Sequence, residues 1–388
     1  GGKQMKNIAL IGSTGSIGRQ AIEVALKNKD SMRIVAMAAG GSHALFARQL
    51  ELVRPEYAAL ADENAAKMCS VPAGTRLCGG ERAALDVAAF EGADIVLVAA
   101  GGFSGLKYTL AAIGAGKDVA LANKETLVCG GDIVLPLAKR AGVKILPVDS
   151  EHSAIWQCLG FELNAPFKRL IITASGGAFR DLSPEQLENV TPRQALEHPT
   201  WNMGAKITVD SATLLNKGLE VIEAHHLFGA EYGKITAVLH PQSIVHSMVE
   251  FEDGAVLAQL SFPTMKLPIQ LALTYPKRLP LAGAQLDFTK ALSLQFSPLN
   301  TQNFPCFSLA VNSGRAGGTL PCAMNAAGEV AVHAFLREQI RFTDIPRVIE
   351  GVLSATDRQQ AESYEQLAAA DGLARGAAEK IVARIAGK

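Results

Sequence analysis

Asn7-Ile8-Ala9-Leu10-Ile11-Gly12-Ser13-Thr14-Gly15-Ser16-Ile17-Gly18 is the stretch on which the fold turns. Asn7 to Ile11 is a short apolar run bounded by glycine, the signature of a buried strand. The glycines follow at once, and Ile22, Val24, Ala25 and Leu26 then build a helical pattern. Strand, glycine-rich turn, helix is the context in which such a motif binds a dinucleotide. The spacing is G-x-x-G-x-x-G rather than the commoner G-x-G-x-x-G. Glycines allow a tight turn and close backbone approach, and the helix N-terminus offers unpaired N–H groups to a pyrophosphate. An ordinary strand-to-helix turn is the competing explanation. The helix that follows, and the place of the motif at the start of the chain, favour the nucleotide.

Outward from this turn, the pattern repeats. A second strand, Arg33–Ala39, runs into Gly40-Gly41-Ser42-His43. NAD sites place a carboxylate there to hold the ribose 2′-hydroxyl. None stands here, so NADP is the better fit, with Arg48 the nearest cation and His43 a second candidate. Tyr57–Ala61 reads as a third strand and Ile95–Ala100 as a fourth. A helix near Leu106–Gly114 leads to the strand Asp118–Ala122, which ends in Asn123-Lys124-Glu125. Polar residues just past strand C-termini are where open α/β sheets bind ligands. Lys124 is therefore read as functional rather than as a solvated surface lysine. Helix Ile133–Arg140 and strand Lys144–Val148 complete the series.

That last strand delivers the chain to Asp149-Ser150-Glu151-His152. Read as extended, residues 149 and 151 point to one side. Two adjacent carboxylates want a cation or a proton between them. Glu220 alone would pass for an exposed helix acid, but here it can serve as a third ligand. Carboxylates without His or Cys mark a hard-cation site, so Mg²⁺ or Mn²⁺ fits better than Zn²⁺, with Co²⁺ a further candidate.

Beyond residue 150 the pattern changes. Leu170–Ala174 is a strand running into Ser175-Gly176-Gly177, whose backbone N–H groups can face an anion. Residues 178–204 are polar and irregular, with Trp201 and Met203 at the end, which suits a lid. Lys206–Val209 reads as a brief extended piece. A helix then carries Asn216 and Glu220 on one face, four residues apart, with Leu215, Leu219 and Ile222 toward the core. Ser211, Asn216 and Lys217 suit a phosphate. Strands follow at 235–239, 244–251 and 255–261, with a hairpin turn at Glu252-Asp253-Gly254. His225, His226 and His246 read as structural. Residues 276–305 are Pro-rich, and the remainder is Ala-rich and helical.

Composition excludes several classes. Hydrophobic residues make up 48% and charged residues 19%, which fits a chain with a large core rather than a disordered one. Lys+Arg and Asp+Glu are both 37, so no general basic footprint for nucleic acid exists. No apolar run reaches the length of a membrane span. The 6 cysteines are scattered without a C-x-x-C pair, as free buried thiols of a reducing compartment would be. Gly1–Gln4 read as an appended stretch ahead of Met5, and the absence of a signal pattern leads us to expect a bacterial cytoplasmic protein.

Seven of these stretches occur in the order they have in one family. They are G-S-T-G-S-I-G at 12–18, L-A-N-K-E at 121–125, D-S-E-H-S-A-I-W-Q at 149–157, A-S-G-G at 174–177, H-P-T-W-N-M-G at 198–204, N-K-G-L-E at 216–220 and H-P-Q-S-I-V-H-S-M-V-E at 240–250. The chain thereby resembles the 1-deoxy-D-xylulose 5-phosphate reductoisomerases. The resemblance implies a homodimeric α/β enzyme of isoprenoid precursor synthesis by the methylerythritol phosphate route, using NADPH and a divalent cation. It implies rearrangement of a small phosphorylated sugar, 1-deoxy-D-xylulose 5-phosphate, and reduction to 2-C-methyl-D-erythritol 4-phosphate. Neither nucleic acid nor membrane is implied as a partner.

The resemblance also assigns residues. Asp149, Glu151 and Glu220 become metal ligands. Lys124 and Ser150 lie near the reacting carbonyl. Ser175, Ser211, Asn216 and Lys217 hold the phosphate, and His198, Trp201 and Met203 cover the substrate. Thr14, Gly15, Ser16, Ile17, Gly40, Gly41, Ser42, Asn123, Glu125 and Gly204 face the cofactor. Relatives often carry a lysine where Gly41 stands, which leaves Ser42, His43 or Arg48 to hold a 2′-phosphate. The expected organisation is an N-terminal Rossmann-like dinucleotide-binding domain (1–149), a central α+β catalytic domain (150–275) with its lid, a linker (276–305) and a C-terminal helical bundle (306–388). Two other readings compete. One is a semialdehyde-type or sugar-oxidising dehydrogenase; the semialdehyde kind would need a nucleophilic cysteine, and Cys129 and Cys158 lack an obvious activating histidine beside them. A non-catalytic NADP sensor would need no carboxylate set.

Overall fold

The computed structural model describes residues 5–387, so the reading of Gly1–Gln4 lies outside it. Its first half alternates strand and helix: β1 (Lys6–Ile11), α1 (Ser16–Lys27), β2 (Met32–Ala39), α2 (His43–Val53), β3 (Tyr57–Leu60), α3 (Glu63–Lys67), β4 (Arg76–Gly79), α4 (Glu81–Ala88), β5 (Ile95–Val98), α5 (Gly105–Gly114), β6 (Asp118–Leu121), α6 (Glu125–Ala141) and β7 (Ile145–Pro147). The strands form one seven-stranded sheet in the order β4-β3-β2-β1-β5-β6-β7, parallel throughout. β1 and β5 are buried apolar runs because helices cover both faces of such a sheet. The sequence reading passes over β4, and Ile95 therefore opens the fifth strand, not the fourth. Arg76-Leu77-Cys78-Gly79 sits at the sheet edge with no buried residue, so no apolar run marks it.

The order reverses between β1 and β5, and at that switch point two glycines are required. A Cβ on Gly12, whose φ is +84°, would lie 2.6 Å from the Ala99 carbonyl oxygen just past β5. One on Gly18 would lie 2.2 Å from the Gly12 carbonyl oxygen, so the helix could not pack down on the turn. Gly15 between them stays exposed.

The second half comprises α7 (Ser150–Cys158), β8 (Arg169–Ala174), α8 (Pro184–Leu187), α9 (Pro192–Ala195), α10 (Ala205–Ala212), α11 (Leu215–Phe228), β9 (Ile235–Leu239), β10 (Val245–Glu250), β11 (Val256–Leu260), α12 (Lys266–Thr274), β12 (Ser297–Pro298), α13 (Cys306–Ala316), α14 (Leu320–Leu336), α15 (Asp344–Ser354) and α16 (Tyr364–Ala386). Its sheet is mixed, in the order β11-β10-β8-β9-β12. Residues 206–209, read as extended, belong to α10. Ile207, Thr208 and Val209 suit a strand locally, but Gly204 begins a helix there and Asp210 closes an i,i+4 pair with Lys206 at 2.9 Å.

The chain forms two compact units. One comprises Gly1–Thr126, Val134–Ser153 and Met265–Gly283, the other Leu127–Ile133, Ala154–Thr264 and Ala284–Lys388. α12 belongs to the first unit, where Gln270 accepts a hydrogen bond from Asn28 (3.1 Å) and Lys266 pairs with Glu23 (2.5 Å). In the second unit the C-terminal helices pack through Ala-rich faces. The Arg375 guanidinium there ties α16 to α14, bonding Asp371 at 2.6 and 2.9 Å and Glu329 at 2.6 Å. The α/β dinucleotide fold, the mixed-sheet centre and the helical C-terminus thus match the expected fold class.

Candidate functional site

Within the first unit, the residues expected to meet the cofactor lie past the C-terminal ends of the parallel strands. Thr14 and Gly15 form the turn after β1, and Ser16 and Ile17 open α1, their N–H groups leading the helix. Gly40, Gly41 and Ser42 follow β2 and are exposed. Asn123, after β6, is 3% exposed. Its amide donates to Gly102 O (3.1 Å) and Glu125 Oε2 (2.8 Å), and its Oδ1 accepts from Thr126 N (3.0 Å) and Thr126 Oγ1 (2.5 Å). Those four bonds saturate the side chain, so Asn123 braces the loop and orients Glu125.

Lys124 and Asp149 meet across neighbouring strand ends. The Lys124 ammonium lies 2.5 Å from Asp149 Oδ2, with both residues buried. The extended geometry read for residues 149–151 does not hold. The Ser153 N–H donates to Asp149 O at 2.8 Å, so a helix begins here and α7 runs from Ser150. Asp149 and Glu151 therefore stand at a helix N-terminus, where the backbone dipole stabilises negative charge. Ser150 Oγ donates to Glu151 Oε2 at 2.5 Å, which orients that carboxylate.

The second unit builds its own cluster. β8 ends at Ser175-Gly176-Gly177. Gly177 has φ +67°, and a Cβ there would lie 2.6 Å from Ala212 Cα, so only glycine lets this loop lie against the end of α10, beside Ser211. Ser175 Oγ is 2.9 Å from His198 Nε2. His198 Nδ1 accepts from the backbone N–H groups of Thr200 (3.1 Å) and Trp201 (2.9 Å). The proton therefore sits on Nε2, which donates to the serine. Burial, aided by the Arg180 charge, lowers the His198 pKa to about 4, so the ring is neutral. Trp201 stands edge-on to the buried His246, ring centroids 6.0 Å apart. The segment expected to form a lid, residues 178–204, is not structureless, since α8 and α9 both start with capping boxes, Ser183 with Gln186 and Thr191 with Gln194.

At the start of α11, Asn216 Nδ2 donates to Glu220 Oε1 at 2.6 Å, and the Lys217 ammonium pairs with Glu220 Oε2. Glu220 is 1% exposed and Lys217 4%. Gly204 caps α10, and Met203 precedes it, half-buried. Sequence reasoning missed several polar groups: Arg180, which donates to Ser175 O at 3.1 Å, the buried His152 of the first unit, and the buried Asp210 and Glu223 of the second. Glu223 had a signal, because it interrupts the apolar face that Leu219 and Ile222 define. His225 is structural as read, its Nδ1 2.7 Å from Ala230 O.

Chemistry of the donor set can be judged from this. Asp149 and Glu220 are buried carboxylates, and each rests against an ammonium of the chain itself, Lys124 or Lys217. Buried carboxylates require such compensation. With Glu151 they offer oxygen donors only, which a hard divalent cation suits. The thiols do not offer a competing nucleophile. Burial raises the Cys158 pKa to about 11, and a hydrogen bond with Cys322 followed by burial holds Cys129 well above the thiol range. All six cysteines are free.

Known proteins resemble the chain along its length. Residues 8–131 match the family described as 1-deoxy-D-xylulose 5-phosphate reductoisomerase, residues 145–228 its C-terminal domain, and residues 260–377 the DXP reductoisomerase C-terminal domain. The reductoisomerase of Acaryochloris marina is 50% identical over 381 residues, covering 96% of this chain and 94% of that protein. That of Pelotomaculum thermopropionicum is 49% identical over 382 residues, covering 97% and 99%. Among solved structures, the Zymomonas mobilis reductoisomerase in complex with NADPH superposes with a TM-score of 0.90 at 40% identity, covering 98% of this chain and 99% of that one. A DOX-P reductoisomerase in complex with NADPH, fosmidomycin and magnesium gives 0.92 at 37% identity, covering 97% and 98%.

Proposed function

The chain belongs to the 1-deoxy-D-xylulose 5-phosphate reductoisomerase family, and from that premise we propose how its residues divide the work. The reaction is the metal-dependent rearrangement and NADPH-dependent reduction of 1-deoxy-D-xylulose 5-phosphate to 2-C-methyl-D-erythritol 4-phosphate, a step of isoprenoid precursor biosynthesis.

Residues 1–149 take the cofactor and residues 150–275 the sugar phosphate. The linker (276–305) and the helices of 306–388 complete the domain scheme. Asp149, Glu151 and Glu220 hold the cation, Mg²⁺ or Mn²⁺. When bound, the cation supplies Lewis acidity at the sugar's carbonyl and neighbouring hydroxyl, and NADPH supplies the hydride. Ser150 orients Glu151 and touches the sugar. Lys124, held at 2.5 Å from Asp149, stands ready to add positive charge or move a proton near the carbonyl. Ser175, Ser211, Asn216 and Lys217 anchor the phosphate, whose binding energy orients the reacting end. His198 contributes a neutral N–H donor beside Ser175, and Trp201 and Met203 exclude water. Thr14 to Ile17, Gly40 to Ser42, Glu125 and Gly204 line the cofactor, with Asn123 bracing Glu125. The observation that supports this most is the pair of buried carboxylates, each already countered by a lysine.

The test is NADPH oxidation with deoxyxylulose phosphate, with and without EDTA. Turnover is expected only with metal, and metal-independent oxidation would overturn the ligand assignment. Glu220→Gln should abolish turnover while NADPH still binds.

A homodimer in the bacterial cytoplasm completes the reading. The relatives are bacterial proteins, and no helix among the described residues is long and apolar enough to cross a membrane. The edge strand β11 carries exposed Val256 (48%) and Leu257 (51%), which an association between copies would cover.

A further inference from the structure

Gly12 and Ser13 of the glycine turn donate their backbone N–H groups to Ala38 O at 2.9 and 3.0 Å. The end of β2 thus lies beside the turn that receives the pyrophosphate. A dinucleotide seated on that turn lays its adenosine ribose over Gly40–Ser42, as in sheets of this kind. An open cleft of about 380 Å³ adjoins that place, lined by His43, Ala44, Ala47, Arg48, Glu51, Met68 and Ser70. Ala44, Ala47 and Met68 give it an apolar wall, and His43, Arg48 and Ser70 a polar one.

Charges beside this cleft and the turn after β2 bear on the ribose that fits there. Asp62 stands closest to Gly41: a Cβ on that glycine would lie 3.5 Å from Asp62 Oδ2. Its Oδ1 caps α3, accepting from Asn64 N (2.8 Å) and Ala65 N (3.1 Å). Unopposed, this carboxylate would repel a 2′-phosphate and favour a free 2′-hydroxyl. Arg48 is the opposing charge. It is exposed and, among the described residues, pairs with no carboxylate. Glu51, one turn further on, lies instead 3.9 Å from Arg54. Helical side chains lean toward the N-terminus, so Arg48 on the second turn of α2 reaches back over Ala44 and His43. Ser42, the N-cap residue, makes no side-chain capping bond, and the His43 N–H donates to Gly41 O at 2.8 Å, so the N–H groups this 11-residue helix can turn to an anion are those of Ala44 and Leu45.

We propose that Arg48, assisted by His43 and the N-terminus of α2, receives the 2′-phosphate of NADPH and sets the cofactor preference of this chain against Asp62. The proposal rests on the NADPH reading above, and the experiment separates the two. Binding of adenosine 2′,5′-bisphosphate and of adenosine 5′-monophosphate to the full chain is measured by calorimetry, without metal or sugar. The wild-type protein should prefer the bisphosphate. Arg48→Ala should weaken bisphosphate binding about 10- to 100-fold, the range for one charge-assisted contact, and leave monophosphate binding within about twofold. Arg48→Lys should recover part of the loss, and His43→Ala should cost less. In turnover, Arg48→Ala should raise KM for NADPH far more than it lowers kcat, and its kcat/KM for NADH should not fall. A wild-type protein that binds both nucleotides equally would overturn the NADPH reading of this subsite. A wild-type preference that survives in Arg48→Ala would overturn the role of Arg48 alone.

Discussion

His198 shows how much one side chain depends on its neighbours. A histidine in a polar loop would titrate near pH 6.5. Here the backbone N–H groups of Thr200 and Trp201 both point at Nδ1, and burial disfavours a second proton. The ring therefore offers an Nε2–H donor at every pH above about 4. We expect kcat/KM for the sugar phosphate to show no His198 limb between pH 5 and 8. His198→Gln, which keeps an N–H donor, should raise KM about tenfold, with a smaller change in kcat. A limb near pH 6.5 that disappears in His198→Gln would show that the ring is not held neutral.

At the scale of elements, α6 carries the clearest constraint. It runs from Glu125 to Ala141 and kinks at Gly130, whose φ of −131° is not helical. The next residue, Gly131, meets the His226 ring of α11: a Cβ there would lie 2.4 Å from the ring. Neither aromatic nor backbone can give that much, so Gly131→Ala should destabilise by about 1–3 kcal/mol, as overpacked cores do. Urea denaturation measures this, and an unchanged midpoint would mean that α6 and α11 can separate freely. The sequence reading has this helix beginning only at Ile133, whereas α6 starts at Glu125 and holds Gly130 and Gly131 inside it. The tertiary contact with His226 is what makes the glycines fit inside it.

For the whole molecule, two partly buried histidines shape the response to acid. His226 is lowered to about 4, chiefly by burial, with Asp132 opposing and His225 adding to the shift. His198 is lowered to a similar value. In the unfolded chain both would take protons near pH 6.5. Between about 4 and 6.5 the unfolded state then binds more protons than the native one. Their contribution is full above 6.5 and is lost as pH falls toward 4. The loss should be on the order of 1–3 kcal/mol, mostly from His226 because it is the more buried, and His226→Phe should flatten the profile of melting temperature against pH in that window. The proposed homodimer is tested at this scale as well. Leu257→Lys on β11 should halve the sedimenting mass while the far-ultraviolet spectrum stays unchanged. A mass that stays at the dimer value would remove β11 from the interface.

Local chemistry made the parallel sheet and the glycine turn readable from sequence, and it offered the oxygen-only donor set on which the proposed function rests. Apolar runs between glycines specify strands, ordered motifs specify the family, and three carboxylates without nitrogen or sulfur specify a hard cation. Several features were not legible, for one reason: they depend on what lies across the fold. Asp149 and Glu151 look extended, yet α7 begins between them. Residues 206–209 favour a strand locally, yet they are helical in α10. The lysine against Asp149, the neutral state of His198, the saturated amide of Asn123 and the place of Asp62 beside Gly41 arise from contacts made in the fold or from a burial that sequence does not display. Residue types set which chemistry was available, and tertiary structure decided which of those groups carry charge, accept a bond or stay free for a ligand.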